Sequence, residues 1–271
     1  MSSNAKDQGA SPAPRADQQV DDKVNANNDA LAASGGSAVD RMLLQEDTKK
    51  LLSFADRNDV SGFSSMVNGF NKDHRDKVKA ELIREHRLDS LPMAMQVVLS
   101  DSPYHQESQI DPGGEISCTT AVRIEGVTAD QALVALTKTN WKDWWATSST
   151  SGPPPNFNFV PEAPLAAIPG FHLSVAMSGA AKEGKNWRLP ARLDGTFTGP
   201  AEMYIESVDG GVVVHDTWMG MRLQNFAMEH LGGAAFWTNG HLQALRGAMA
   251  GGLLGPTGFA GLRKYLLNEK K

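Results

Sequence analysis

Apolar and polar residues change their spacing several times along the chain, and these changes divide it into segments. Residues 1–38 contain almost no large apolar side chains. Such a tract cannot bury enough surface to offset its ordering entropy, so it is predicted to be a disordered tail. Apolar positions in residues 39–99 recur at helical spacings and predict a small helical module, with Asp59 or Ser61 as the candidate cap of its second helix and Asn71 as that of its third. The polar segment 100–114 ends in Pro-Gly-Gly and is predicted to be a linker.

The remaining residues, 115–271, carry strand patterns followed by helical ones. The stretch EISCTTAVRIE alternates between apolar and polar residues and predicts a strand with one buried face. A helix capped by Thr128 follows in TADQALVALTKTNWKDWW, and Asn140 is a point where it can divide into two short helices. The proline-rich stretch SSTSGPPPNFNFVPEAP predicts a long loop without a helix.

Further strand patterns begin near Phe171, Trp187 and Ala201, and the Asp209-Gly210 turn predicts that the last of them forms a hairpin with VVVHDTWMGMRL. Alternation in this final strand predicts that one set of side chains faces the core: Val213, His215, Thr217, Met219, Met221 and Leu223. Asp216 is then predicted to face outward. From Asn225 the pattern is helical, with Trp237 and His241 on its apolar stripe, until glycines near residue 251 interrupt it before a last short helix.

This order of elements resembles the START-like (SRPBCC) superfamily, which includes lipid-transfer domains and polyketide cyclases. The resemblance covers about residues 115–254. It rests on the strand EISCTTAVRIEG, on the helical segment that ends in NWKDWW, and on the DGGVVVHDTW hairpin that leads into a terminal amphipathic helix. It implies an α+β helix-grip fold, in which a curved antiparallel sheet grips a long C-terminal helix and leaves an apolar cavity between them.

Half of the six tryptophans lie within five residues, at Trp141, Trp144 and Trp145. Their spacing places them on neighbouring parts of one helix surface, where each ring covers a large apolar area. Two interpretations stay open at this point: the three rings fill the core, or at least one of them lines a ligand cavity.

Charge and targeting signals exclude some classes of function. The net charge of −5 and the absence of a clustered basic patch disfavour a nucleic-acid partner. The lone cysteine, Cys118, rules out a disulfide within the chain and is expected to be a small buried hydrophobe. The sequence has neither an apolar leader nor an uninterrupted apolar run of about 18 residues, so no transmembrane segment is expected. A cytoplasmic location is therefore the default expectation, although export without a leader would leave no such mark.

The search for chemistry finds no nucleophile elbow, phosphate loop or dinucleotide-binding motif, and no cofactor is expected. His230 and His241 are too far apart along a helix to ligate one metal ion, so no metal is expected either. His215 is the candidate catalytic residue, because a histidine in an apolar pocket can exchange protons near neutral pH. The alternative is a buried neutral histidine with a structural role.

Three functions follow from these patterns. The main hypothesis is the binding or transport of a hydrophobic small molecule, such as a lipid or aromatic polyketide, in the apolar cavity. The predicted ligand-binding residues are Trp141, Trp144, Trp145, Val213, His215, Met219, Met221, Trp237 and His241. The first alternative is a cyclase, dehydratase or hydrolase that acts on such a ligand through a cavity histidine. The second is an exported effector or interaction protein whose protein partner binds residues 39–99.

Overall fold

The computed structural model describes residues 38–145, 149–152, 154–160, 167–246 and 258–267. The tail predicted for residues 1–38 lies outside the described residues except for Ala38. These described residues divide into two compact units, one comprising 38–52 and 71–90 and the other comprising 53–70 and the described residues from 91 onward.

Most helices lie near the two ends of the described chain, and one, Ala129–Thr137, lies between strands. They are α1 (Ala38–Asp56), α2 (Val60–Asn68), α3 (Lys72–Arg84), α4 (Met93–Leu99), α5 (Ala129–Thr137), α6 (Phe226–His230), α7 (Gly233–Arg246) and α8 (Gly258–Leu266), with 3-10 turns at Leu88–Ser90 and Trp141–Asp143. Two predicted caps are confirmed, because Asp59 accepts a hydrogen bond from the backbone N–H of Gly62 and Asn71 accepts one from that of His74.

The first unit contains α1 as far as Leu52, α3 and the turn at Leu88–Ser90. The His74 imidazole on α3 lies 2.8 Å from the Asp47 carboxylate on α1, which ties the two helices together. The second unit contains α2, α4 and everything from residue 91 onward, so the helices of the predicted 39–99 module are shared between the two units.

The second unit is built around an antiparallel sheet. Its strands are β1 (Tyr104–Ile110), β2 (Ile116–Glu125), β3 (Ser149–Ser151), β4 (Asn156–Val160), β5 (Leu173–Met177), β6 (Ala181–Glu183), β7 (Asn186–Gly195), β8 (Phe197–Val208) and β9 (Gly211–Leu223). They are ordered β1-β2-β9-β8-β7-β5-β4-β3, and β6 pairs with β7 beside this path. The predicted α+β class with a curved antiparallel sheet is confirmed.

Helices cover both faces of this sheet. One face, here called the inner face, shares a hydrophobic core with α5, α7 and α8, through residues such as Leu136, Leu242 and Phe259. The opposite, outer face contacts α2 and α4, whose buried residues include Phe63 and Val97 and lie outside that core. The central strands are therefore buried on both sides, which removes the alternation that normally marks a half-exposed strand.

Two stretches expected to be irregular contain strands. The predicted linker 100–114 holds β1, an edge strand whose polar and exposed residues hide it from a search for apolar alternation. The predicted proline-rich loop holds β3 and β4, while residues 146–148, 153 and 161–166 of this region lie outside the described part.

The C-terminal helical segment is divided at its start as well as near its end. Asn225 caps α6, as predicted, by accepting a hydrogen bond from the Met228 backbone N–H. Gly232 and Gly233 have φ angles of 132° and 66°, so the chain leaves helical geometry at the boundary between α6 and α7. Helix α7 packs against β1 and β2, in the position expected of the gripped helix. Among the described residues, no helix is long and apolar enough to cross a membrane.

Candidate functional site

The orientation of β9 decides which of the candidate residues meet the inner face. Residues directly opposite each other in an antiparallel sheet share a face. Asp216 lies opposite Thr120 and the core residue Met203, whereas His215 lies opposite Ala121 and Tyr204, both outside the core. The inner face of β9 therefore carries Val212, Val214, Asp216 and Trp218, and the outer face carries Val213 and His215.

This orientation corrects the prediction for β9. Val213 and His215 were expected on the core face and Asp216 on the outside, and the structure reverses both. The physical reason is that Val212, Val213 and Val214 are all fully buried, because helices cover each side of the sheet. A strand that is apolar on both faces carries no alternation from which its orientation can be read.

A polar cluster interrupts the apolar inner face where α7 crosses β1, β2 and β9. Asp216 is buried on β9, and its carboxylate lies 3.5 Å from Nε2 of His241 on α7. Next to it on β2, the fully buried Thr120 accepts a hydrogen bond of 3.1 Å from Gln106 Nε2 on β1. Gln106 also donates to the backbone carbonyl of Leu242, so β1 is joined to α7 beside the His241–Asp216 pair.

One further side chain contacts this cluster, and another lies one helical turn from it along α7. The Trp218 indole stacks on the His241 ring, with centroids 3.6 Å apart. Thr238, one helical turn before His241, is only 2% exposed, and its hydroxyl has no hydrogen-bond partner among the described residues. His241 Nε2 likewise makes no hydrogen bond of normal geometry there. Thr120, Asp216, Trp218, Thr238 and His241 are called the inner polar cluster below.

Cys118 borders the cluster from β2, opposite Trp218. It is buried, as expected for a lone cysteine, and burial raises the pKa of its thiol to about 12, with the Asp216 carboxylate adding to the effect. A thiol held in the neutral form is a poor nucleophile, so the chemistry of the cluster rests on its other members.

His215 has a separate set of partners on the outer face. Its Nε2 lies 3.4 Å from the buried carboxylate of Glu206, and its ring lies 6.0 Å from that of Tyr204. The Tyr204 hydroxyl accepts a hydrogen bond from Asn186. The two histidines predicted to share one cavity are thus divided by the sheet.

The three clustered tryptophans are buried together with Phe157. The centroid of Trp141 lies 4.8 Å from that of Trp144, 6.2 Å from that of Trp145 and 4.5 Å from that of Phe157. Helix α5 ends before them and Asn140 caps a 3-10 turn, as the possible division at Asn140 predicted. Trp141 Nε1 donates to the Leu136 carbonyl, while Trp144 Nε1 has no partner among the described residues. These contacts show rings that pack on each other and belong to the hydrophobic core.

The remaining predicted ligand-binding residues are spread over different environments. Met221 is fully buried in the core, but Met219 is 43% exposed. The positive φ of Gly220, 62°, reorients the strand between them, which places Met221 on the same side as Trp218. Trp237 packs against the edge of the core and donates to the Met228 carbonyl. Within the described ranges, no three metal-ligating side chains come together.

Comparison with known proteins yields likeness in structure alone. No protein-family model and no curated protein matches the sequence. The chain is similar to human STARD10, with a TM-score of 0.44 and 8% identity over 62% of this chain and 71% of that one. It is also similar to Aha1 from Colwellia psychrerythraea (TM-score 0.31, 14% identity, 50% of this chain and 97% of that one). A third similar structure is CalU16 from Micromonospora echinospora, with a TM-score of 0.29 and 11% identity over 62% of this chain and 98% of that one.

The resemblance to START-like proteins that the sequence suggests therefore stays a prediction. It is a likeness of arrangement, and no residue role, ligand or activity follows from it.

Proposed function

We propose that the protein binds a hydrophobic small molecule between the inner face of the sheet and α7, and that Asp216 and His241 orient a polar group of this molecule. The observation that carries the proposal is a pair of ionisable side chains set within an apolar core and left without full hydrogen bonding. Buried polar groups normally find partners, and those that lack them often mark a binding site.

The surroundings of the pair supply the apolar part of such a site. Core residues on β2, β8 and β9, such as Ile124, Ile205 and Val214, face α5, α7 and α8. The His241 side chain is 18% exposed and that of Asp216 10% exposed, so the pair reaches the surface at the edge of α7. A ligand that enters at this edge would meet polar groups beside an apolar interior, which is the usual composition of a small-molecule site.

Native mass spectrometry of the gently purified protein tests this proposal. We expect a discrete adduct that is lost on denaturation, or uptake of a single mass class from a lipid extract. A clean mass of the protein alone, with no uptake from the extract, would contradict the proposal. The inner polar cluster would then be part of a closed core.

Acid–base catalysis at the same pair is the second candidate function. A histidine beside a buried carboxylate is an arrangement that can accept and return a proton, because the carboxylate orients the imidazole and stabilises its charged form. The captured ligand, once identified, would be converted by the wild-type protein and not by His241→Ala. Release of the unchanged ligand by the wild type would leave binding as the function. The separate expectation of a protein partner for residues 39–99 stays a prediction.

A further inference from the structure

We infer that the polar group received by the inner polar cluster is an uncharged hydroxyl, so that the preferred ligand is a hydrophobic alcohol or phenol and not a carboxylate or phosphate. This inference rests on the proposed function and specifies the chemistry of the same site. It follows from two properties of the cluster: its charge and its unused hydrogen-bonding groups.

The charge of the cluster disfavours an anionic ligand. Asp216 supplies a carboxylate within the core, and among the described residues its ion-pair partner is His241 alone, with no lysine or arginine paired to it. A fatty-acid or phosphate head group placed here would face a like charge at low dielectric without a free cation to offset it, which is costly.

The unused hydrogen-bonding groups call for a partner that both donates and accepts. The Asp216 carboxylate accepts only, whereas the Thr238 hydroxyl can donate as well as accept. A threonine within a helix can bond to the carbonyl four residues earlier, as the buried Thr48 does here with Leu44 and the half-buried Thr137 does with Leu133. Thr238 makes no such bond within the described structure, so its hydroxyl is available to a ligand.

A ligand hydroxyl satisfies these groups together. It donates to the Asp216 carboxylate and accepts from the Thr238 hydroxyl. Stacking on Trp218 fixes the His241 ring, which keeps Nε2 directed toward Asp216 while the ligand binds.

Three probes with one apolar body separate these possibilities: 1-naphthol, 1-naphthoic acid and naphthalene, whose dissociation constants are measured by calorimetry at neutral pH. We expect wild-type protein to bind 1-naphthol at least about tenfold more tightly than either of the others, because a hydrogen bond to a charged group is stronger than one between neutral groups. Asp216→Asn, which keeps the shape and removes the charge, should reduce the preference for naphthol over naphthoate by a similar factor.

Thr238→Val provides a second variant that keeps the side-chain shape, and it should weaken naphthol binding while leaving naphthalene binding unchanged. His215→Ala on the outer face is the control and should keep the wild-type preference. Equal binding of naphthol and naphthoate by the wild type would overturn the hydroxyl inference and leave the proposed binding function intact. Failure of all three probes to bind would contradict both the hydroxyl inference and the proposed binding function.

Discussion

The imidazole of His241 on α7 lies face to face with the indole of Trp218 on β9, with ring planes 23° apart. This stacking connects α7 to the inner face of the sheet. It also brings the His241 ring nitrogen to the Asp216 carboxylate, two residues before Trp218 on the same face of the strand. The site therefore depends on the docking of α7, because neither the helix nor the strand carries all of its groups.

The first prediction compares the two histidines that the sheet separates. His241→Ala removes the ring stacked on Trp218 and the partner of Asp216, so 1-naphthol should bind about tenfold more weakly. His215→Ala removes a ring on the outer face and should change the dissociation constant by less than about twofold. Calorimetric titration of both variants measures this difference.

Circular dichroism and urea unfolding of the same variants serve as the control. His215→Ala leaves the buried Glu206 carboxylate without its partner and should lower the free energy of unfolding by about 3 kcal/mol. A variant that is less stable than the wild type but binds 1-naphthol equally well would show that its side chain supports the fold and not the ligand site. Equal loss of affinity in both variants would contradict the assignment of His241 to the site.

Much of the fold could be predicted from local signals along the chain. The cap at Thr128 accepts a hydrogen bond from Gln131, and Gln131 in turn accepts one from the Thr128 backbone N–H, so this helix start is encoded within four residues. The β8–β9 hairpin follows similarly from the Asp209-Gly210 turn between two apolar runs. Such features depend on neighbours in sequence and are therefore visible without a structure.

The inner polar cluster could not be predicted in the same way, because it depends on which face of β9 meets the core. Helices α2 and α4 cover the outer face, which makes Val213 as buried as Val212 and Val214. If the alternation along β9 is read one residue out of step, His215 is assigned to the inner face in place of Asp216. The signal that could have identified Asp216 is its charge inside an apolar strand, together with His241 on the apolar stripe of α7.

The second prediction concerns Cys118, whose thiol pKa is raised to about 12 by burial and by the Asp216 carboxylate. At pH 8 the folded protein should react with iodoacetamide far more slowly than the same protein in urea, because the reactive thiolate is scarce and inaccessible. Mass spectrometry of the alkylated protein follows the reaction. Rapid modification of the folded protein would show that the Cys118 thiol is accessible and would contradict its raised pKa.

The same pKa shift predicts how stability depends on pH. In the unfolded chain the thiol ionises near its ordinary pKa, whereas in the folded protein it stays protonated up to about pH 12. Its contribution is therefore fully present below the unfolded pKa and declines as the pH rises toward 12. Wild-type protein should lose stability more steeply than Cys118→Ala across this range, as measured by urea unfolding. Parallel slopes for the two proteins would contradict the raised pKa.

A fourth prediction distinguishes two tryptophans of the core cluster. Trp141 Nε1 donates to the Leu136 carbonyl, whereas Trp144 Nε1 is buried without a partner among the described residues. Replacement by phenylalanine removes a hydrogen bond in the first case and an unsatisfied donor in the second. Trp141→Phe should therefore lower the free energy of unfolding by about 1–2 kcal/mol more than Trp144→Phe. Chemical denaturation followed by circular dichroism gives both values, and the reverse order would contradict this account.

The last prediction concerns the two glycines at the β8–β9 turn, which differ in what surrounds them. A Cβ on Gly211 would collide with the Ile124 backbone carbonyl and approach the Glu125 Cα within 2.9 Å, whereas a Cβ on Gly210 would meet no atom within 4 Å. Gly210 has a φ of 77°, so alanine there introduces only local backbone strain, about 1 kcal/mol. Gly211→Ala must instead move β9 away from β2, the strand pair that carries Asp216 and Thr120. We expect it to lower the free energy of unfolding by more than Gly210→Ala and to weaken 1-naphthol binding as well. Urea titrations and calorimetry of both variants measure these effects, and similar behaviour of the two alanine variants would show that the β2–β9 pairing tolerates displacement.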